Sequence, residues 1–131
     1  MIAEPGFSIV VLAARVLLAL PYLVSSIEKS LHFSAALEEF ARARVPLLRL
    51  AAVATIALQF VASICLIAGW FVSEMAVALA LFTLVATLRV HDFWNMEGEE
   101  RLIRSRVFLA NLGLVGGLIL LAAVGPGSKV L

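Results

Sequence analysis

The chain has 131 residues, 63% of them hydrophobic and 15% charged, with a net charge of +1 and a mean hydropathy of +1.10. A soluble domain is closer to half apolar and a quarter charged, so this composition argues against a water-soluble globule. The near-zero net charge offers nothing to a nucleic-acid partner, and none is expected.

The charges are segregated along the chain. Four charge-poor runs, at about 7–27, 48–70, 73–91 and 107–124, each approach the ~20 residues a helix needs to cross a hydrocarbon core of ~30 Å. Lipid offers the backbone no hydrogen-bond partners, so each run is predicted to be a helix. The fold class read from the sequence is therefore all-α: a transmembrane four-helix bundle forming one domain over 1–131.

The first run carries one charge, Arg15, with none from Pro5 to Ala14 or from Val16 to Ile27. Such a charge costs roughly 2.5–3.5 kcal/mol to insert, so it requires a polar partner, a bound anion or a wet crevice. The region before it holds Glu4 and no Lys or Arg, and no small-x-small site follows at Leu23–Ser30; this run does not read as a cleaved signal peptide. It ends in Ser25, Ser26, Glu28, Lys29 and His32.

Between runs one and two, Phe33, Ala36, Leu37, Phe40 and Ala41 recur at helical spacing, with Glu38, Glu39 and Arg42 opposite. That pattern predicts an amphipathic helix lying in the membrane interface. Pro46 closes this helix or opens the next. Run two holds Gln59 and the sole cysteine, Cys65. One thiol in an apolar stretch cannot run a dithiol cycle, so a membrane disulfide-generating enzyme is not expected. A tight turn near Gly69–Glu74 should pack runs two and three as an antiparallel pair.

Run three ends in Thr87 and His91, followed by Asp92, Phe93 and Trp94, and run four places Asn111 one turn inside. An Asn in lipid must find a hydrogen-bond partner, and Thr87 or His91 lies at the right depth. His91 can hold or relay a proton near neutral pH. The plainer reading of the same residues is an interface, with Trp94 in an aromatic belt and Lys29 and Arg89 at headgroups. Counting ~1.5 Å per residue from the ends of the runs sets Gln59 level with Arg15. His91, His32, Glu28 and Asp92 match no metal-ligand spacing, and no metal is expected. Gly113 and Gly117 form a GxxxG that fits either a second copy of the chain or packing inside the bundle.

The loops around 28–49 and 89–106 carry eight basic residues, against Lys129 alone on the opposite side. The positive-inside rule then places both loops in the cytoplasm and both termini outside, in a multi-pass protein of the cytoplasmic (inner) membrane.

Several short motifs together resemble the DoxX family of small four-helix membrane proteins. They are Arg15 to Leu20 (RVLLAL), Ser26 to Lys29 (SIEK), Ala43 to Pro46 (ARVP), His91 to Trp94 (HDFW), and Phe108 to Asn111 (FLAN) with Gly116 and Gly117 after it. Serine stands at 26 where the family has glycine. Gln59 falls where it often has glutamate and Ala110 where it often has lysine, so two charges are missing. The resemblance implies a helical bundle and a range of roles, from a subunit of a thiosulfate:quinone oxidoreductase or a redox-defence assembly to a maturation factor or cargo receptor.

The expected function is a membrane subunit or accessory factor of a quinone-linked redox system. The expected site comprises Arg15, Gln59, Lys29, Thr87, His91, Asp92, Trp94 and Asn111. A quinone or a lipid headgroup is its expected ligand, and any electron-carrying group belongs to a partner. The rival is a non-enzymatic scaffold subunit of a larger membrane complex. Four spans without an inverted repeat rank a transporter last.

Overall fold

The computed structural model describes residues 5–90, 94 and 97–125. Five helices follow in order: α1 (Pro5–Leu31), α2 (Phe33–Arg42), α3 (Leu48–Ala68), α4 (Val72–Val90) and α5 (Gly98–Val124). All but α2 are long and apolar enough to cross a membrane. The molecule is a transmembrane four-helix bundle with a short helix between its first two spans, and no strand occurs among the described residues.

The spans follow the charge-poor runs, with two extensions. Helix α1 continues to Leu31, past Glu28 and Lys29. Helix α5 begins at Gly98, not near 107, so much of the predicted loop is helical. Its first turn carries Glu99 and Glu100, where carboxylates complement the positive end of the helix dipole. At ~1.5 Å per residue its 27 residues exceed a hydrocarbon core, so its charged start projects into the polar zone.

Around the bundle the helices run α1, α3, α4, α5 and back to α1. The broadest packing is α1 on α3 and α4 on α5. The hairpin partners α3 and α4 touch less. That turn is closed by Gly69 in the left-handed region (φ 88°), with the amides of Gly69 and Trp70 both donating to the Cys65 carbonyl at 2.8 and 2.9 Å. Nearby, Ser73 Oγ donates to the Ala122 carbonyl at 2.8 Å and ties the start of α4 to the end of α5. We call this the turn end and the opposite one, where α2 lies, the loop end.

Packing differs between the two ends. The buried apolar cluster is formed by Val11, Ala19 and Tyr22 of α1, Ala62 and Leu66 of α3, Val72, Ala76, Leu79 and Ala80 of α4, and Leu118 and Leu121 of α5. These residues occupy the turn-end half of α3, α4 and α5, and on α1 they reach just past its middle, to Ala19 and Tyr22. At the loop end α2 docks through Ala36 and Phe40, both buried, while Glu38 and Arg42 stay outside, as its periodicity predicts; Glu39, expected on the polar face, is half-buried, and Ala41, expected on the apolar face, is exposed. Pro46 lies in the linker between α2 and α3, inside neither helix. That linker has two non-glycine residues in the left-handed region, Arg44 (φ 58°) and Leu47 (φ 51°). Arg89 Nη1 fastens it to the end of α4 through the Arg44 carbonyl at 3.1 Å.

Candidate functional site: a polar cavity inside the bundle

The loop-end half of the bundle is hollow. A cavity of about 500 Å³ lies between all four spans and α2. Its walls are mainly apolar, with Pro21, Phe40, Phe82, Val85 and Leu114 among them. Polar groups enter as helical stripes: Tyr22, Ser25 and Lys29 on α1, Thr55 and Gln59 on α3, Thr83 and Arg89 on α4, and Asn111 on α5, with Glu39 from α2. Residues spaced three or four apart share a helix face, so the α1 and α3 stripes each point one way, into the cavity.

These groups form a ladder from the packed half toward the loop end. The innermost rung is Tyr22, whose hydroxyl shares a 2.6 Å hydrogen bond with Thr83 Oγ1. Next, Ser25 Oγ donates to Gln59 Oε1 at 3.3 Å. The Lys29 ammonium folds back one turn and donates to Ser25 Oγ, which joins Lys29, Ser25 and Gln59 in one line. On the facing side Asn111 Nδ2 donates to Thr87 Oγ1 at 3.0 Å, one of the two partners that depth alone allows it. Lys29 is half-buried and turned inward, whereas the interface reading of the sequence sends it to the headgroups.

Arg15 is at the other end of the molecule. It is fully buried, and its guanidinium donates through Nε to the Leu66 carbonyl at 2.8 Å and through Nη2 to the Ile67 carbonyl at 2.9 Å. The last carbonyls of a helix have no intrahelical donor and form the negative end of its dipole. Arg15 therefore acts as a side-chain cap for α3.

This corrects the pairing with Gln59. The antiparallel register sets Gln59 against Ser25 and brings Arg15 some two turns further along α3. Two causes combine. Helix α1 continues to Leu31, so its counted end was too early. A long helical side chain also leans toward its own N-terminus, carrying the guanidinium toward the turn end. Arg15 is thus not part of the cavity wall.

Of the remaining expected site residues, Lys29, Gln59 and Asn111 line the cavity, and Thr87 adjoins it through Asn111. Trp94 is half-exposed and stacks edge-to-face on Phe108, with ring centroids 5.8 Å apart, as suits an aromatic at the interface. His91 and Asp92 lie outside the described residues. Reasoning from sequence missed Tyr22, Thr55, Thr83 and Glu39 as cavity residues and sent Arg89, which also lines the cavity, to the headgroups. The signal was present in the stripe Tyr22, Ser25, Lys29 and in the pair Thr55 and Gln59, both at helical spacing.

Two further features bear on the outer surface. Cys65 is a free, half-buried thiol near the end of α3. The two glycines of the GxxxG behave differently. A Cβ on Gly117 would stand 3.1 Å from Leu18, so Gly117 serves close packing of α5 on α1, while a Cβ on Gly113 would meet nothing within 4 Å.

Comparison with known proteins places these features in a family. The DoxX family model matches residues 10–92, which span the cap on α3, α2 and the α1, α3 and α4 walls of the cavity. The chain is similar to the "Inner membrane protein YphA" of Escherichia coli (strain K12), with 27% identity over 120 residues covering 92% of this chain and 86% of that protein. No solved structure matches.

Proposed function

The chain belongs to the DoxX family, and from that premise we propose that it is an inner-membrane subunit or accessory factor of a quinone-linked redox system. The observation that carries this reading is the cavity: about 500 Å³, apolar over most of its wall, with neutral hydrogen-bonding groups on facing helices. A quinone ring needs an apolar slot and one or two donors for its carbonyl oxygens. Tyr22 and Thr83 supply hydroxyls on one side, and Asn111 supplies an amide on another. The ring would supply the redox chemistry, and this chain would orient it and exclude water. Electrons would come from a partner subunit carrying a flavin or a metal cluster. Support also comes from the resemblance, since some family members are subunits of a thiosulfate:quinone oxidoreductase, and from the relative named an inner membrane protein.

The test is binding of a short-tailed benzoquinone and a short-tailed naphthoquinone to the protein in lipid nanodiscs, read as a rise in melting temperature. One of them should bind, and Tyr22→Phe or Asn111→Leu should weaken it by about fivefold, the equivalent of one hydrogen bond. Failure of both quinones to bind, or undiminished binding by both variants, sinks the reading.

A second reading is a scaffold subunit of a larger complex, and the exposure of α5 favours it. This helix is the least buried of the four spans, and it presents Leu109, Leu112 and Gly113 outward. Under this reading Gly113→Leu disrupts co-purification with the complex, and Asn111→Leu leaves it intact.

A further inference from the structure

The loop-end rungs of the cavity differ in kind from the inner ones. The wall contains three charged groups, Lys29, Arg89 and Glu39, which leaves one positive charge in excess. Arg89 is exposed, and its one described hydrogen bond goes to a loop carbonyl. Lys29 is the unusual member. A lysine near the end of a span ordinarily extends outward to headgroups, and this one runs inward to a neutral hydroxyl inside an apolar-walled hollow. Placing an ammonium there sacrifices hydration that a hydroxyl only partly replaces. The carboxylates of Glu39 and Glu28 attract this ammonium without a hydrogen bond to it; an anionic oxygen beside Ser25 would compensate it in direct contact, and the cavity has the volume to admit one.

We propose that the loop-end half of this cavity is a seat for a singly charged anionic amphiphile, whose carboxylate or phosphodiester oxygen is held by Lys29 and Ser25 with Arg89 at its mouth. Two sources share this chemistry: a fatty-acid carboxylate and the phosphodiester of an anionic phospholipid. The apolar residues Phe40, Val85 and Leu114 receive the first carbons of the chain. The seat uses other residues than the Tyr22 and Asn111 donors of the quinone reading, so either can hold without the other.

The experiment uses the full chain in phosphatidylcholine nanodiscs. Oleate is added in one arm and oleyl alcohol, its neutral counterpart, in another. A third arm replaces part of the phosphatidylcholine with phosphatidylglycerol. Oleate or phosphatidylglycerol should raise the melting temperature, and oleyl alcohol should not; the responding arm identifies the source. Lys29→Gln should weaken that response about tenfold or more, as expected for a charge-assisted bond. Lys29→Arg should retain most of it.

Ser25→Ala gives an independent check should Lys29→Gln fold poorly. It releases the ammonium from its inward pose and should weaken oleate as well. Tyr22→Phe should leave the anion response intact while lowering quinone binding, which separates the two readings. The proposal is overturned if neither anion raises the melting temperature or if oleyl alcohol acts as strongly as oleate. It is overturned equally if Lys29→Gln and Ser25→Ala both respond as the wild type does. Loss of the response on Arg101→Gln with Arg104→Gln, and not on Lys29→Gln, would assign it to surface charge and overturn the seat.

Discussion

Arg15 shows how a fully buried charge is accommodated in a bilayer protein. Its guanidinium meets two carbonyls at the negative end of a helix, a partner with partial charge and fixed geometry. Substitution by leucine would strand the Leu66 and Ile67 carbonyls. Stranding buried groups costs about 1–3 kcal/mol, offset in part by the removal of a charge from lipid. Arg15→Leu is therefore expected to lower the melting temperature of the detergent-solubilised protein, and Arg15→Lys to do so less, because an ammonium keeps the charge but loses the forked geometry. An Arg15→Leu variant as stable as the wild type would show that the cap adds nothing. This partner was illegible in the sequence for a physical reason: backbone carbonyls have no side-chain signature, so a residue-by-residue search finds Gln59 and passes over Leu66. Asn111 shows the contrary case. Its partner Thr87 is itself a polar residue in an apolar run, and depth alone narrows the choice to two.

At the scale of elements, the spans were legible because a charge inside lipid is costly and the runs between charges stand out. Helix α2 was legible because its apolar stripe keeps a helical period between polar residues. Helix ends were not, since α1 and α5 both continue through charged residues into the polar zone, where hydropathy no longer marks them. The register between α1 and α3 was lost with those ends. Helix α2 rests on few buried side chains, Ala36 and Phe40. Phe40→Asp should undock it, raising amide exchange in α2 and the following linker while α4 stays protected; uniform exchange across the chain would argue against independent docking. On α5, Gly117→Leu should destabilise the fold by forcing the helix away from Leu18, whereas Gly113→Leu should leave the isolated chain as stable as before. A loss of self-association in Gly113→Leu alone, read by cross-linking in membranes, would assign that glycine to an interface between copies.

The whole molecule combines a tightly packed turn end with a hollow loop end, and the two ends have different tasks. Side chains from all four spans close the packed half, and Arg15 and Ser73 tie its helix ends. The hollow half holds polar stripes that converge only once the bundle is assembled. The basic loops flanking the hollow end predict that it faces the cytoplasm. Single cysteines introduced at Glu38 and at Ser128, in a Cys65→Ser background, test this with a membrane-impermeant thiol reagent on intact cells: only the second should be labelled.

The cap on α3 also bears on how the protein enters its membrane. Synthesis proceeds from the N-terminus, so α1 emerges and meets lipid while the carbonyls of Leu66 and Ile67 are still inside the ribosome, about fifty residues behind Arg15. During that interval the guanidinium lacks these two carbonyls. The cap forms only when α3 arrives and offers its C-terminal end. The pair of α1 and α3, with the short amphipathic helix between them, is therefore the first unit in which this cap can form.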